Sequence, residues 1–227
     1  MKSFFVTGTD TGVGKTVLSA SLLASARQQD IDAIYMKPVQ TGCTRRGSQL
    51  VAPDLEFCLR AADLHPSRAE LMSMCPYRFV PACSPHLAAA KARRPIRIDR
   101  IVAHFRKLQA AHKAVIVEGA GGVLVPLGPR DTMLDLMKAL ALPVVVAARP
   151  GLGTINHTLL TLRELQRARL RVLGIFFVHT TPGSDPAIER DNEQTIARAA
   201  DIPILGRIPF SKGSSPVTLA TEDSKAL

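Results

Sequence analysis

The sequence predicts an α/β fold, a three-layer sandwich with a mostly parallel central sheet covered by helices on both faces. Three observations predict it. Short runs that are apolar throughout recur along the chain, they alternate with longer stretches of helical periodicity, and polar or glycine-rich clusters follow several of them. Strands apolar on both faces belong inside parallel sheets, because crossover helices cover both sides. Ligand-handling residues in such sheets gather where the strands end.

The elements follow in order. A first strand over 3–7 (SFFVT) is ended by Gly8, and a helix over 15–28 places Val17, Ala20, Leu23 and Ala24 on one face. A second strand at 33–36 stops at Lys37-Pro38, and a third at 114–117 stops at Glu118 and a glycine cluster. Runs at 143–148, 172–178 and 204–208 complete six strands. Helices are expected over 54–62, 85–92, 99–112, 132–140, 155–169 and 186–200. Residues 41–95 are less regular, and the polar, Ser/Thr-rich tail 211–227 is expected to be irregular. A chain of 227 residues can bury one substantial core, so a single domain over 1–227 is expected.

Composition narrows the function. Lys and Arg number 29 against 19 Asp and Glu, a net charge of +10. That excess is spread along the chain, and with two Tyr and no Trp there is little to stack on bases. No nucleic-acid partner is expected, and a basic surface that attracts small anions is the simpler reading. Cys43, Cys58, Cys75 and Cys83 form no C-x-x-C pair and read as free thiols of a reducing compartment. No apolar run approaches the ~20 residues that span a bilayer, and the opening MKSFFVTG leaves no room for a signal peptide. A cytoplasmic protein with no membrane partner is expected.

Five polar or glycine clusters follow strands: 8–16, 37–42, 118–122, 149–157 and 179–183. The first, GTDTGVGKT, carries the strongest chemistry. Gly14-Lys15-Thr16 supplies the second half of G-x-x-x-x-G-K-[ST], while the first glycine is displaced to Gly8, with Thr9 at the strict position. The mechanism survives this shift. A glycine turn aims backbone N–H groups at phosphate oxygens and the next helix presents its positive end. Lys15 then reaches the β- and γ-phosphates and the Thr16 hydroxyl meets Mg²⁺. A P-loop NTPase-like fold is therefore predicted.

The companion residues each have two readings. Lys37 is either a solvated strand-end lysine or a second cation beside a transferring phosphoryl group. Glu118 is a strand-end carboxylate or a metal contact, with Gly119, Ala120, Gly121 and Gly122 letting a ligand approach the backbone. Asp54, after Pro53, serves a helix's first turn or a ligand. The glycines 151 and 153 before Thr154 open a helix whose N-terminus is either plainly capped or suited to a carboxylate. His157 reads as structural.

Taken together, GTDTGVGKT, KPVQTG (37–42), SPH (84–86), EGAGG (118–122), LGTINH (152–157) and LGRIP (205–209) resemble the ATP-dependent dethiobiotin synthetases, and they span about nine-tenths of the chain. The resemblance implies ring closure of 7,8-diaminopelargonic acid with CO₂ and Mg·ATP, through a carbamate and its phosphoric anhydride, in biotin synthesis. It implies Lys37 and Lys15 as catalytic and Thr16, Asp54 and Glu118 as Mg²⁺ ligands. It implies nucleotide contacts at Gly12, Val13, Gly14, Lys15, Thr16, Val17, Asp54, Glu118, Gly119, Ala120, Gly121, Val178, His179, Ile208, Pro209 and Phe210. Substrate contacts are implied at Thr11, Lys37, Thr41 and Gly121. A homodimer is implied too, in which Gly153, Thr154 and Asn156 of one subunit receive the chain carboxylate bound by the other.

Two departures stand out. Gly12 replaces a loop glutamate common in that family, and Val178 stands where an adenine-reading Asn is usual. Valine cannot pair with the N6/N7 edge of adenine, so weakened discrimination among nucleobases is expected. Three other readings compete, one of them a catalytically dead nucleotide-binding module, against which the intact Lys15, Thr16, Lys37, Asp54 and Glu118 argue. Partition and septum-positioning ATPases carry a signature lysine five residues before the loop lysine, where this chain has Asp10. Cobyric acid-type synthetases couple to a glutaminase domain, for which 227 residues are expected to leave no room.

Overall fold

The structure is a computed structural model that describes residues 1–182 and 185–211. Strands β1 (Phe4–Gly8), β2 (Ala33–Met36), β7 (Ala114–Glu118), β8 (Val144–Ala148), β9 (Val172–Val178) and β10 (Ile204–Ile208) form a six-stranded parallel sheet. Their order is β10-β9-β8-β1-β7-β2. Every residue of β1, β2, β7 and β8 is buried, as their unbroken apolar sequences require. Helices α1 (Lys15–Gln28), α2 (Pro53–Ala61), α3 (Arg68–Met74), α4 (Pro85–Lys91), α5 (Ile98–Ala111), α6 (Met133–Leu140), α7 (Thr154–Arg167) and α8 (Pro186–Ala200) complete the layers. The chain leaves β1 toward the β2 edge and afterwards winds the other way, through β7 to β8, β9 and β10. With right-handed crossovers, that reversal puts helices on both faces and makes the end of β1 the switch point where a crevice opens.

All six predicted strands and the helix after β1 are present, shifted by a residue or so at their ends. Residues 39–95 contain elements that the sequence pattern did not reveal. Val39–Gln40 (β3) pairs with Tyr77–Arg78 (β6), and Thr44–Arg46 (β4) pairs with Gln49–Val51 (β5). These strands are two or three residues long, too short to show periodicity. Helix α3 has a readable start, since Ser67 and Glu70 form a capping box, but only seven residues follow it. Of the expected irregular tail 211–227, residues 212–227 lie outside the described residues, as does residue 183 of the fifth cluster. No helix among the described residues is long and apolar enough to cross a membrane.

Candidate active site

Helix α1 begins at Gly14 in the left-handed region (φ 89°), with no side-chain cap and no acid in its first turn. Its leading N–H groups and positive end therefore stay open to an anion. A Cβ at residue 14 would lie 2.3 Å from Val178 Cγ1, so glycine is needed for closeness as well as for φ. Lys15 is buried, and its ammonium donates to the Asp10 carbonyl at 2.7 Å. Burial, helped by the Lys37 charge, lowers its pKa to about 8.

The end of β7 and the ends of β2 and α2 converge on the same place. Glu118 is buried, and its Oε1 accepts from Thr16 Oγ1 at 2.9 Å and from Lys37 Nζ at 2.5 Å. Lys37 Nζ also lies 2.8 Å from Asp54 Oδ2 and donates to the Gly119 carbonyl at 3.3 Å. Burial alone would depress the Lys37 pKa, but the Glu118 and Asp54 charges reverse this and hold it above the usual lysine range. Lys37 is therefore no solvated surface lysine. Asp54 does sit in the first turn of α2, after Pro53 at its start, and the same turn aims it at Lys37. Asp54 thus serves the first turn of its helix and also pairs with Lys37.

Lys15, Thr16, Lys37, Asp54 and Glu118 face one cavity of about 790 Å³. Gly12, Gly14, Val17, Ala120 and Gly121 line it too, together with Thr11 and Thr41. Gly12 and Gly121 have positive φ, 73° and 69°. Gly119 packs against the Phe5 ring, where a Cβ would approach to 3.0 Å. Among the described residues no three His, Cys, Asp or Glu gather as a metal site. The donors present, one hydroxyl and two carboxylates, are hard oxygens that suit Mg²⁺, which keeps waters and takes further oxygens from phosphates. The residues fit that ion.

Three of the implied nucleotide contacts have side chains buried in the core. Val178 has no exposed surface and packs under Gly14, so its side chain does not face the crevice. Ile208 and Val13 are likewise core side chains and can offer only backbone groups. His179 is half-buried, with Nδ1 3.5 Å from Glu189 Oε1 and its backbone N–H donating to the Ile208 carbonyl. Pro209 and Phe210 are exposed beyond it.

Gly153 and Thr154 line a second, smaller cavity of about 220 Å³ with His157 and His179. Helix α7 starts at Gly153 (φ 88°) without a side-chain cap or a first-turn acid, the same arrangement as α1. Thr154 is buried and shares a hydrogen bond with Thr158, while Asn156 is exposed and lines neither cavity. Within one chain, these residues do not join Thr11, Thr41 and Gly121.

Sequence reasoning overlooked two groups. Tyr35 donates to Glu118 Oε2 at 2.8 Å, and its phenol is held protonated by burial and by the Glu118 charge. The period of two along β2 puts Tyr35 on the Lys37 face, a signal that was there to read. Gln40 lines the large cavity with a buried Oε1 that has no protein partner, for which the sequence offers no signal.

This fold and loop define a protein of the P-loop nucleotide-binding class. The family model described as an AAA domain matches residues 2–218. The chain is 44% identical over 211 residues to the ATP-dependent dethiobiotin synthetase BioD of Anaeromyxobacter sp. (strain K), covering 92% of this chain and 91% of the relative. It is 37% identical over 221 residues to that of Bacillus licheniformis, covering 96% and 90%. It therefore belongs to the ATP-dependent dethiobiotin synthetase family. Among solved structures, cobyrinic acid a,c-diamide synthase from Mycobacterium smegmatis with bound ADP and magnesium superposes with a TM-score of 0.57 at 20% identity. That match covers 100% of this chain and 93% of the other. The septum site-determining protein MinD of Pyrococcus horikoshii, complexed with Mg-ADP, gives 0.58 at 14%, covering 100% and 87%. At such identities these two likenesses show the fold alone.

Proposed function

We propose that this protein closes the ureido ring of dethiobiotin from 7,8-diaminopelargonic acid, CO₂ and Mg·ATP, as a step of biotin synthesis. The observation that carries the reading is the convergence of Thr16, Lys37 and Asp54 on Glu118 inside the Lys15 cavity. Family membership at 44% identity supplies the substrates.

One amine of the diamine adds to CO₂ and releases a proton, giving a carbamate. A carbamate oxygen attacks the γ-phosphorus and ADP departs. The second amine then attacks the carbonyl of the mixed anhydride, closing the cyclic urea and expelling phosphate. Bound Mg²⁺ would be held by Thr16, Asp54 and Glu118, and would offset charge on the phosphate oxygens. Lys15 holds the β- and γ-phosphates at the open end of α1. Lys37 stabilises the charge that builds on the phosphoryl group in transit, and Thr11, Thr41 and Gly121 seat the diamine. His179, Pro209, Phe210 and the backbone at Val178 and Ile208 flank the base.

The acting unit of this reading is a cytoplasmic homodimer, with 1–227 as one domain and neither nucleic acid nor membrane as a partner. Two observations support the dimer. The α7 anion site lies apart from the Lys15 cavity within one chain, and exposed Leu124, Leu152 and Leu160 are apolar surface that a second subunit would cover. The chemistry is tested with bicarbonate labelled in oxygen-18 under single-turnover conditions. Transfer of one labelled oxygen into inorganic phosphate is expected, and unlabelled phosphate would exclude the anhydride.

A further inference from the structure

We propose that Tyr35 is a positioning residue that fixes the plane of the Glu118 carboxylate, so that one oxygen is held toward the phosphate loop. The proposal rests on the reading of Glu118 as a Mg²⁺–nucleotide ligand and goes on to say how that ligand is aimed. Register places Tyr35 of β2 opposite Ile116 of β7, so Glu118 emerges just beyond the phenol on the same face as Lys37. The two carboxylate oxygens are divided between two kinds of partner. Oε1 takes Thr16 and Lys37, at the cavity. Oε2 takes the Tyr35 hydroxyl at 2.8 Å, in the core, where Tyr35 has no exposed surface.

A terminal carboxylate torsion is soft, and a half-turn only exchanges two equivalent oxygens, so the side chain by itself does not fix the tilt of its plane. The buried donor fixes it. Without it, Oε2 loses that partner in a place where an unpaired carboxylate oxygen is costly. Turning the carboxylate toward Lys37 and Thr16 then becomes the relaxed arrangement, and the ion would meet a ligand in the wrong orientation. Tyr35 lines neither cavity, so it reaches the site through Glu118.

The test uses the full chain with Tyr35→Phe. Mn²⁺ affinity of the ADP complex, read by electron paramagnetic resonance, is expected to weaken by roughly tenfold, the loss of one hydrogen bond to a charged group. ADP affinity without metal should stay unchanged. The same change made in Glu118→Gln should add little, because the two residues form one unit. A Glu118→Gln protein that binds Mn²⁺·ADP like wild type would overturn the ligand reading itself. If Glu118→Gln is weakened while Tyr35→Phe is not, Tyr35 has no positioning role.

Should Tyr35→Phe fail to fold, the wild-type chain still decides the matter. It contains two tyrosines, so 3-fluorotyrosine labelling gives two ¹⁹F lines, assigned through Tyr77→Phe. The Tyr35 line is expected to shift when Mg²⁺ and ADP bind, and to stay still in Glu118→Gln. A line indifferent to Mg²⁺·ADP in the wild type would overturn the proposal.

Discussion

Lys37 Nζ stands 2.5 Å from Glu118 Oε1, and 2.8 Å from Asp54 Oδ2, so one ammonium bridges two carboxylates assigned to Mg²⁺. If those carboxylates hold Mg²⁺ as proposed, the lysine and a divalent ion would compete for the same oxygens. Lys37→Gln should therefore have two opposite effects. Turnover should fall by about a hundredfold or more, because the charge is needed most in the transition state. Mn²⁺ binding to the nucleotide-free protein should tighten by about tenfold, worth roughly 1.4 kcal/mol, as the competing cation is gone. Kinetics and paramagnetic titration read the two separately. Near-normal turnover would remove Lys37 from the mechanism, and unchanged metal affinity would refute the competition.

Glu118→Ala removes the acceptor on which Thr16, Lys37 and Tyr35 converge. The Mg²⁺ concentration giving half-maximal rate should rise by about tenfold or more. A Mg²⁺ titration of initial rates decides it, and unchanged metal dependence contradicts a ligand role.

Lys15 carries a pH signature, because burial lowers its pKa from 10.5 to about 8 in the folded, nucleotide-free chain. Between those values the unfolded chain holds more protons, so this group makes stability rise with pH across that window. Phosphate at the loop favours the charged form and raises the pKa again. ADP binding at pH 8 should therefore take up protons, and at pH 6.5 almost none. Calorimetry in buffers of different ionisation enthalpy measures this uptake, which Lys15→Ala should abolish.

The burial of Val178 under Gly14 leaves no amide at that position to pair with adenine. Turnover with ATP, CTP and GTP at equal Mg²⁺ should differ by much less than a hundredfold. A strict hundredfold preference for ATP would show that another group reads the base, and His179 would be the first to replace.

The central sheet was legible because each buried strand is an unbroken apolar run, as in AIYM and VVVAA. The loop was legible because GTDTGVGKT states its own chemistry. Residues 39–95 were opaque for a physical reason. Their pairings, such as Val39 with Tyr77, are a few residues long and join segments far apart in sequence, so no local period announces them. At the site, Lys37 had a plain alternative that only three-dimensional proximity could remove, and Asp54 keeps its place in a helix's first turn while also meeting Lys37. The inward turn of Val178 depends on its packing against Gly14, a contact between distant segments that sequence does not display.

The most direct measurement is phosphate release by the purified protein, with the diamine and bicarbonate omitted in turn. Release that requires both 7,8-diaminopelargonic acid and bicarbonate is the predicted result. Phosphate released at the same rate without either would mark an ordinary nucleotide hydrolase and contradict the account.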